Sequence, residues 1–136
     1  MDIQPCKENS ANNFDRKRLL VVDDDVEVLR DVAIMLSLEG YYVMTASSGV
    51  AASVLLAEHP FDVVITDLRM PIVDGYEIVR RTKAMRPNSS IIVTSRYLDD
   101  KTRDWIHSNQ LVGLEKPYNV HQLSAMLRSL TGTPQP

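Results

Sequence analysis

The chain has 136 residues, a formal net charge of −3 at pH 7, 44% hydrophobic residues and one cysteine, Cys6. These values fit one globular domain with a single core, exclude an intramolecular disulfide and give no electrostatic reason to expect nucleic-acid binding. Because no apolar run is long enough to span a membrane and no signal-peptide pattern is present, we expect a cytoplasmic protein without membrane contact.

Apolar strands and amphipathic helices alternate five times along the chain. Residues 1–18 are polar and predicted to form a flexible tail, and residues 131–136 a C-terminal tail. The predicted strands are 19–22, 41–46, 63–67, 90–94 and 112–115. The helices are predicted to begin near Val26, after a cap at Ser47 or Ser48, at Tyr76, after a cap at Asp99, and near Val120. Gly40 is expected to end the first helix in a left-handed turn. This alternation predicts a doubly wound α/β fold, with a parallel sheet between helices on both faces.

The helices carry apolar residues that we expect to pack against the sheet. Trp105 is expected to be only partly buried. The packing residues are predicted to be Val28, Leu29, Val32, Ile34, Met35, Leu36, Leu38, Val50, Val54, Leu55, Leu56, Tyr76, Ile78, Val79, Met85, Leu98, Thr102, Ile106, Val120, Leu123, Met126, Leu127 and Leu130.

Polar residues follow the predicted strands where each strand ends. The carboxyl ends of parallel strands meet at one edge of a sheet, which is where open α/β sheets bind ligands. The residues gathered there would be Asp23, Asp24, Asp67, Thr94 and Lys116. Clustered carboxylates repel one another unless a cation shares the site, and oxygen ligands suit Mg²⁺. The group is typical of a carboxylate, Asp67, that becomes an aspartyl phosphate, although Asp67 taken alone could simply cap a loop.

Four short motifs resemble the receiver domain of two-component response regulators, from residue 19 to about residue 130. They are Val21-Val22-Asp23-Asp24-Asp25, Asp67-Leu68-Arg69-Met70-Pro71 with Asp74-Gly75, Ile91-Ile92-Val93-Thr94-Ser95, and Glu115-Lys116-Pro117-Tyr118. The resemblance implies a flavodoxin-like (βα)5 fold with strand order 2-1-3-4-5. It also implies phosphoryl transfer to Asp67 from a small phosphodonor or from the phosphohistidine of a sensor histidine kinase or phosphotransfer protein. The modified domain would then control a downstream protein or an output domain.

The resemblance also assigns roles to single residues. Asp23 and Asp24 would hold Mg²⁺ together with Asp67 and the backbone carbonyl of Arg69. Thr94 would be the switching hydroxyl, and Lys116 would pair with the phosphoryl group. The peptide bond between Lys116 and Pro117 would be cis.

Four positions depart from the family pattern. Gly113 stands where receivers usually carry a Phe or Tyr that moves during switching, so we expect weaker coupling to the face formed by the fourth helix, fifth strand and fifth helix. Tyr97 and Tyr118 are the nearby candidates to replace that ring, and a different output surface is the alternative. Ser95 replaces a common alanine, which leaves slightly less room beside the phosphoryl group. Arg69 and Arg96 each lie two residues beyond a site residue, and we predict that they shield the phosphoryl group and prolong its lifetime.

The sequence leaves three alternatives to a phosphorylation switch that performs only its own phosphorylation and dephosphorylation. An Mg²⁺-dependent aspartyl-phosphate phosphohydrolase usually has a second aspartate two residues after the nucleophile, where this chain has Arg69. A receiver-like binding module that is never phosphorylated stays open as an alternative. A nucleotide-binding module is disfavoured because neither glycine-rich phosphate motif is present. The sequence identifies no output domain of its own.

Overall fold

The computed structural model describes residues 16–132 and forms a five-stranded parallel sheet with helices on both faces. Its strands are β1 (Arg18–Val22), β2 (Tyr42–Ala46), β3 (Val63–Asp67), β4 (Ser90–Ser95) and β5 (Val112–Glu115). Its helices are α1 (Val26–Leu38), α2 (Gly49–Glu58), α3 (Gly75–Met85), α4 (Asp100–Ser108) and α5 (Val120–Thr131). The spatial order β2-β1-β3-β4-β5 confirms the predicted flavodoxin-like topology.

The chain ends were predicted to be tails, and most of both lies outside the described residues. β1 begins at Arg18, one residue before the predicted domain start, because Arg18 pairs with Tyr42 of β2. α5 extends to Thr131, one residue past the predicted end. None of the helices within residues 16–132 has the length and hydropathy needed to cross a membrane.

Alternating side chains on the strands divide the core into layers. Leu19 and Val21 of β1 pack with α1 and α5, whereas Leu20 and Val22 pack with α2 and α3. A third cluster joins α3 and α4 to β4. Every residue of β3 is buried, as expected for the central strand of a sheet covered on both faces.

Every helix starts with a side chain that caps its free amide groups. The caps are Asp25, Ser48, Asp74, Asp99 and Asn119. Each accepts a hydrogen bond from a backbone N–H in the first helical turn, a contact typically worth about 1 kcal/mol. The predicted caps at Ser48 and Asp99 are confirmed, and Gly40, with φ of 102°, ends α1 in the predicted left-handed turn. Helices therefore begin directly beyond the carboxyl edge of the sheet.

Several predicted packing residues face solvent, and for these the prediction was wrong. They are Ile34, Met35, Leu38, Val50, Val54, Tyr76 and Met85. On α1 the sheet buries Leu29, Val32, Ala33 and Leu36, a narrower stripe than the apolar residues suggested. Tyr76 is exposed at one edge but its ring packs on Trp105, with ring centroids 4.6 Å apart. Trp105 is partly buried, as predicted.

Candidate functional site

The structure brings the five polar residues of the strand ends together at the carboxyl edge of the sheet. Asp23 follows β1, Asp67 ends β3, and Lys116 follows β5. In the sheet register Thr94 of β4 lies directly beside Asp67. Asp24 is the exposed member of the group, whereas Asp23, Asp67 and Thr94 are buried.

The Lys116 ammonium joins the two buried carboxylates. Its Nζ donates to Asp23 Oδ2 at 2.9 Å and to Asp67 Oδ2 at 3.0 Å. The remaining oxygens are also engaged: Asp23 Oδ1 accepts from the Asp25 amide at 2.9 Å, and Asp67 Oδ1 from the Arg69 amide at 3.2 Å. These bonds fix the orientation of both carboxylates.

Burial and the neighbouring charges have opposite effects on the pKa values of Asp23 and Lys116. Burial raises the pKa of Asp23, although the Asp25 amide and Lys116 oppose this effect. Burial alone would lower the pKa of Lys116, but hydrogen bonds to Asp23 and Asp67 outweigh it, and the pKa is raised. The lysine is therefore a fixed positive charge at neutral pH. Burial also raises the pKa of Tyr118, and the nearby Asp23 carboxylate acts in the same direction.

Three carboxylates at this edge have the chemistry of a magnesium site. One oxygen from each of Asp23, Asp24 and Asp67 lies within 4.8 Å of the others. Oxygen-only donors suit a hard divalent cation, and Mg²⁺ commonly takes a few carboxylates while keeping several waters. The exposure of Asp24 leaves room for those waters. The residues present therefore fit Mg²⁺.

Backbone hydrogen bonds hold the ends of the central strands in place. The Leu68 amide donates to the Thr94 carbonyl at 3.0 Å, and the Lys116 amide donates to the Ser95 carbonyl at 2.8 Å. Thr94 thus lies between the strand that carries Asp67 and the loop that carries Lys116. The Lys116–Pro117 peptide bond is cis, as the resemblance implied.

Residues 19–128 match the family model described as the response regulator receiver domain. The chain belongs to the response regulator receiver domain family. Members of this family are generally signalling modules rather than enzymes, and they generally use Mg²⁺ at an acidic pocket.

Curated relatives of this receiver domain are longer proteins. The transcriptional regulatory protein KdpE of Mycobacterium tuberculosis is 32% identical over 111 residues, which cover 82% of this chain and 49% of KdpE. The response regulator MprA of a Mycobacterium species is 34% identical over 121 residues, which cover 83% of this chain and 50% of MprA. The sensor histidine kinase RcsC of Salmonella typhi is 30% identical over 124 residues, covering 90% of this chain and 13% of RcsC. The chain therefore spans about half of the two regulators and a small part of the kinase.

Solved structures show the same fold. A CheY-like receiver domain protein from Methanospirillum hungatei aligns with a TM-score of 0.79 and 23% identity, covering 84% of this chain and 92% of that one. The chemotaxis protein CheY4 of Vibrio cholerae aligns with a TM-score of 0.77 and 27% identity, covering 85% and 98%.

At Gly113, α4 fills the space beside the strand. A Cβ added to this glycine would lie 2.9 Å from Ile106 Cδ1 and 3.5 Å from Leu98 Cδ1. Both side chains are buried. Aliphatic groups of α4 and its preceding loop therefore lie beside the position where receivers usually carry an aromatic ring. Tyr97, one candidate replacement for that ring, is 70% exposed, whereas Tyr118 is partly buried.

Sequence reasoning missed two features around the site. The Asp25 amide donates to Asp23 Oδ1 and orients that carboxylate, a backbone contact that the acidic run itself does not reveal. A cleft of about 740 Å³ opens beside Lys116, between α1 and the loops before α4 and α5, and Arg96 and Asp31 line it. No sequence pattern marks this cleft, because its walls come from distant parts of the chain.

Arg69 and Arg96 are both exposed. Arg69 also lies near Asp99: the pKa of Asp99 is lowered first by hydrogen bonds from Thr102 and further by the Arg69 charge. The arginine side chains are thus free to reorient, as the predicted shielding of a phosphoryl group requires.

Proposed function

We propose that this receiver domain accepts a phosphoryl group on Asp67 and thereby controls a downstream protein or output domain. The observation that carries the proposal is the Lys116 ammonium, which lies 3.0 Å from Asp67 Oδ2 and 2.9 Å from Asp23 Oδ2. A cation held between two buried carboxylates can stabilise the negative charge of a phosphoryl group that is transferred to one of them. We place the domain at residues 19–130.

In the reaction, an Asp67 carboxylate oxygen attacks the phosphorus of a phosphohistidine. The new O–P bond forms as the N–P bond breaks, and the bonding electron pair returns to the imidazole nitrogen of the donor. Lys116 exchanges its bond to the Asp67 oxygen for one to a phosphoryl oxygen. Burial of Asp67 limits solvent access to the reacting atoms, since only 7% of its surface is exposed.

Asp23, Asp24 and Asp67 would hold Mg²⁺, with the Arg69 carbonyl as a further ligand. The ion supplies positive charge that offsets the negative charge of the phosphoryl oxygens. The Arg69 amide already bonds to Asp67 Oδ1, which places this residue beside the acceptor.

Thr94 is the proposed switch. Its position beside Asp67 in the sheet register supports a hydrogen bond from its hydroxyl to a phosphoryl oxygen. Movement toward that oxygen would draw on the end of β4 and the loop that leads to α4. The output would then depend on the aliphatic contact of Leu98 and Ile106 with Gly113.

A sensor histidine kinase or a phosphotransfer protein is the proposed donor, and the reaction would take place in the cytoplasm. The names of the relatives, which include two regulators and a sensor histidine kinase, support this kind of partner. The domain would catalyse only its own phosphorylation and dephosphorylation. A phosphohydrolase is disfavoured because Arg69, rather than a second aspartate, stands two residues after Asp67.

Intact mass after incubation with acetyl phosphate and Mg²⁺ tests the proposal. We expect the wild-type chain to gain one phosphoryl group that is lost with time, and Asp67→Asn to gain none. Asp104→Asn, a change at an exposed position on α4, is the matched control and should label like wild type. A folded wild-type chain that neither acetyl phosphate nor a phosphorylated kinase can label would instead indicate a binding module that is never phosphorylated.

A further inference from the structure

Ile72 has a backbone conformation that its side chain disfavours. Its φ is 68°, in the left-handed region that β-branched residues rarely adopt. Among the other described non-glycine residues only Gln110 has a positive φ, and Gln110 follows the end of α4, where left-handed residues are common. Ile72 does not end a helix, and lies in the loop between β3 and α3.

The fold accounts for the backbone at Ile72 but not for the side chain. Residues 69–74 form a tight loop whose ends meet: the Gly75 amide donates to the Leu68 carbonyl at 3.0 Å, and a Cβ on Gly75 would lie 2.2 Å from the Asp67 carbonyl oxygen. Such a loop needs a left-handed residue, a role that glycine or asparagine fills at lower cost. The Ile72 side chain is 94% exposed, the highest value among the exposed large hydrophobic residues described, so packing within the chain does not offset that cost.

Ile72 lies close to the proposed phosphoacceptor. It is three residues before Gly75, so its Cα is at most about 11 Å from that glycine. The Gly75 backbone itself contacts the Asp67 carbonyl. A specific protein partner covers ~800 Å² of each surface, which is a disc of about 16 Å radius. A protein that delivers its phosphohistidine to Asp67 and docks over this loop would cover Ile72 as well, whereas a small phosphodonor would not.

We propose that Ile72 is an apolar contact for the protein phosphodonor and a specificity-determining residue for transfer to Asp67. This inference rests on the proposed function. Exposed Pro71 precedes Ile72, so the tip of the loop presents two adjacent apolar residues. Val73, which follows, packs toward the α2 side of the core and holds the tip in place. The partner would bear an apolar depression next to its phosphohistidine.

The test compares a protein donor with a small donor. A panel of purified sensor-kinase cores carrying phosphohistidine is screened against the wild-type chain, and the fastest donor is used. Ile72→Asn and Ile72→Gly keep the left-handed backbone and remove the apolar group, and Ile72→Leu retains an apolar group. Leu38→Asn is the matched control, because Leu38 is 78% exposed and ends α1 at the opposite edge of the sheet.

We expect kcat/KM for protein transfer to fall about tenfold in Ile72→Asn and Ile72→Gly, a loss somewhat smaller than that at a hot-spot contact. Labelling by acetyl phosphate should stay at the wild-type rate, and thermal unfolding should not occur at a lower temperature. Ile72→Leu and Leu38→Asn should transfer nearly as well as wild type.

Three results would overturn the inference. They are an unchanged kcat/KM in both polar variants, an equal loss with acetyl phosphate, and a panel in which no kinase labels a chain that acetyl phosphate does label. Failure of both donors on the wild-type chain would instead contradict the proposed function itself, and the inference with it.

Discussion

The packing of α4 over Gly113 predicts that two positions are energetically coupled. Ile106 is the one buried residue of α4. Its Cδ1 lies 2.9 Å from the position that a Cβ on Gly113 would occupy. The perturbation is a double-mutant cycle with Ile106→Ala, Gly113→Tyr and the combination of both.

The magnitudes follow from burial and space. Removing the Ile106 side chain, which is only 7% exposed, should reduce the free energy of unfolding by about 2 to 4 kcal/mol. Gly113→Tyr overpacks the same space and should cost about 1 to 3 kcal/mol. In the double variant the ring enters the volume that Ile106 leaves, so the combined loss should be at least about 1 kcal/mol smaller than the sum.

Urea unfolding measures the cycle, with circular dichroism as one probe and the fluorescence of Trp105, the single tryptophan, as the other. Coincident transitions establish that each variant unfolds in two states. Losses that add to within about 0.5 kcal/mol would refute the reasoning, because they would mean that Ile106 does not occupy the space of the missing ring.

Three further results are expected. Replacing both Arg69 and Arg96 by alanine should speed dephosphorylation severalfold, followed by intact mass, and an unchanged rate would contradict the predicted shielding. Chelation of Mg²⁺ should abolish labelling by acetyl phosphate, whereas persistent labelling would remove the case for the metal. Hydrogen bonds from Arg80 and Arg81 lower the pKa of Glu77 from 4.5 to about 2. Carboxyl NMR should therefore show a titration midpoint for Glu77 near that value, and the midpoint should rise when both arginines are replaced by alanine. Any stability from this surface cluster is present above pH 4.5 and lost as the pH falls toward 2. A midpoint near 4.5 in the wild-type chain would contradict the contact.

The fold was predictable because strands and helix starts carry local signals. Uninterrupted apolar strands, caps such as Ser48 and Asp99, and the glycine at position 40 each specify their own neighbourhood. The buried face of a helix was less predictable. α2 is apolar nearly all round, so its sequence did not show that Leu55 and Leu56 face the core while Val54 faces solvent.

The site was predictable in position but not in bonding. The carboxyl ends of parallel strands lie at one edge of the sheet, and this does not depend on side-chain conformation. The positions of Asp23, Asp67 and Lys116 after their strands were therefore enough to predict that they lie together. That Lys116 divides its bonds between the two carboxylates depends on side-chain geometry across 93 and 49 residues of sequence separation. No local pattern carries that information.

Gly113 bears on how the proposed switch would work, because a glycine has no side chain to move. An aromatic ring can change its rotamer as a unit, whereas Ile106 and Leu98 are short, buried and in close contact with the strand. A buried aliphatic contact this tight leaves little free volume, so movement of the β4–α4 loop would be resisted by α4 packing or would displace the helix as a body. Ile106 is the one buried residue of α4, and Trp105 packs partly against the same cluster, so these two side chains are the apolar contacts that a displacement of the helix would have to rearrange. In this receiver domain, a signal from Thr94 would therefore reach the output face through the position of α4 rather than through the rotation of a ring.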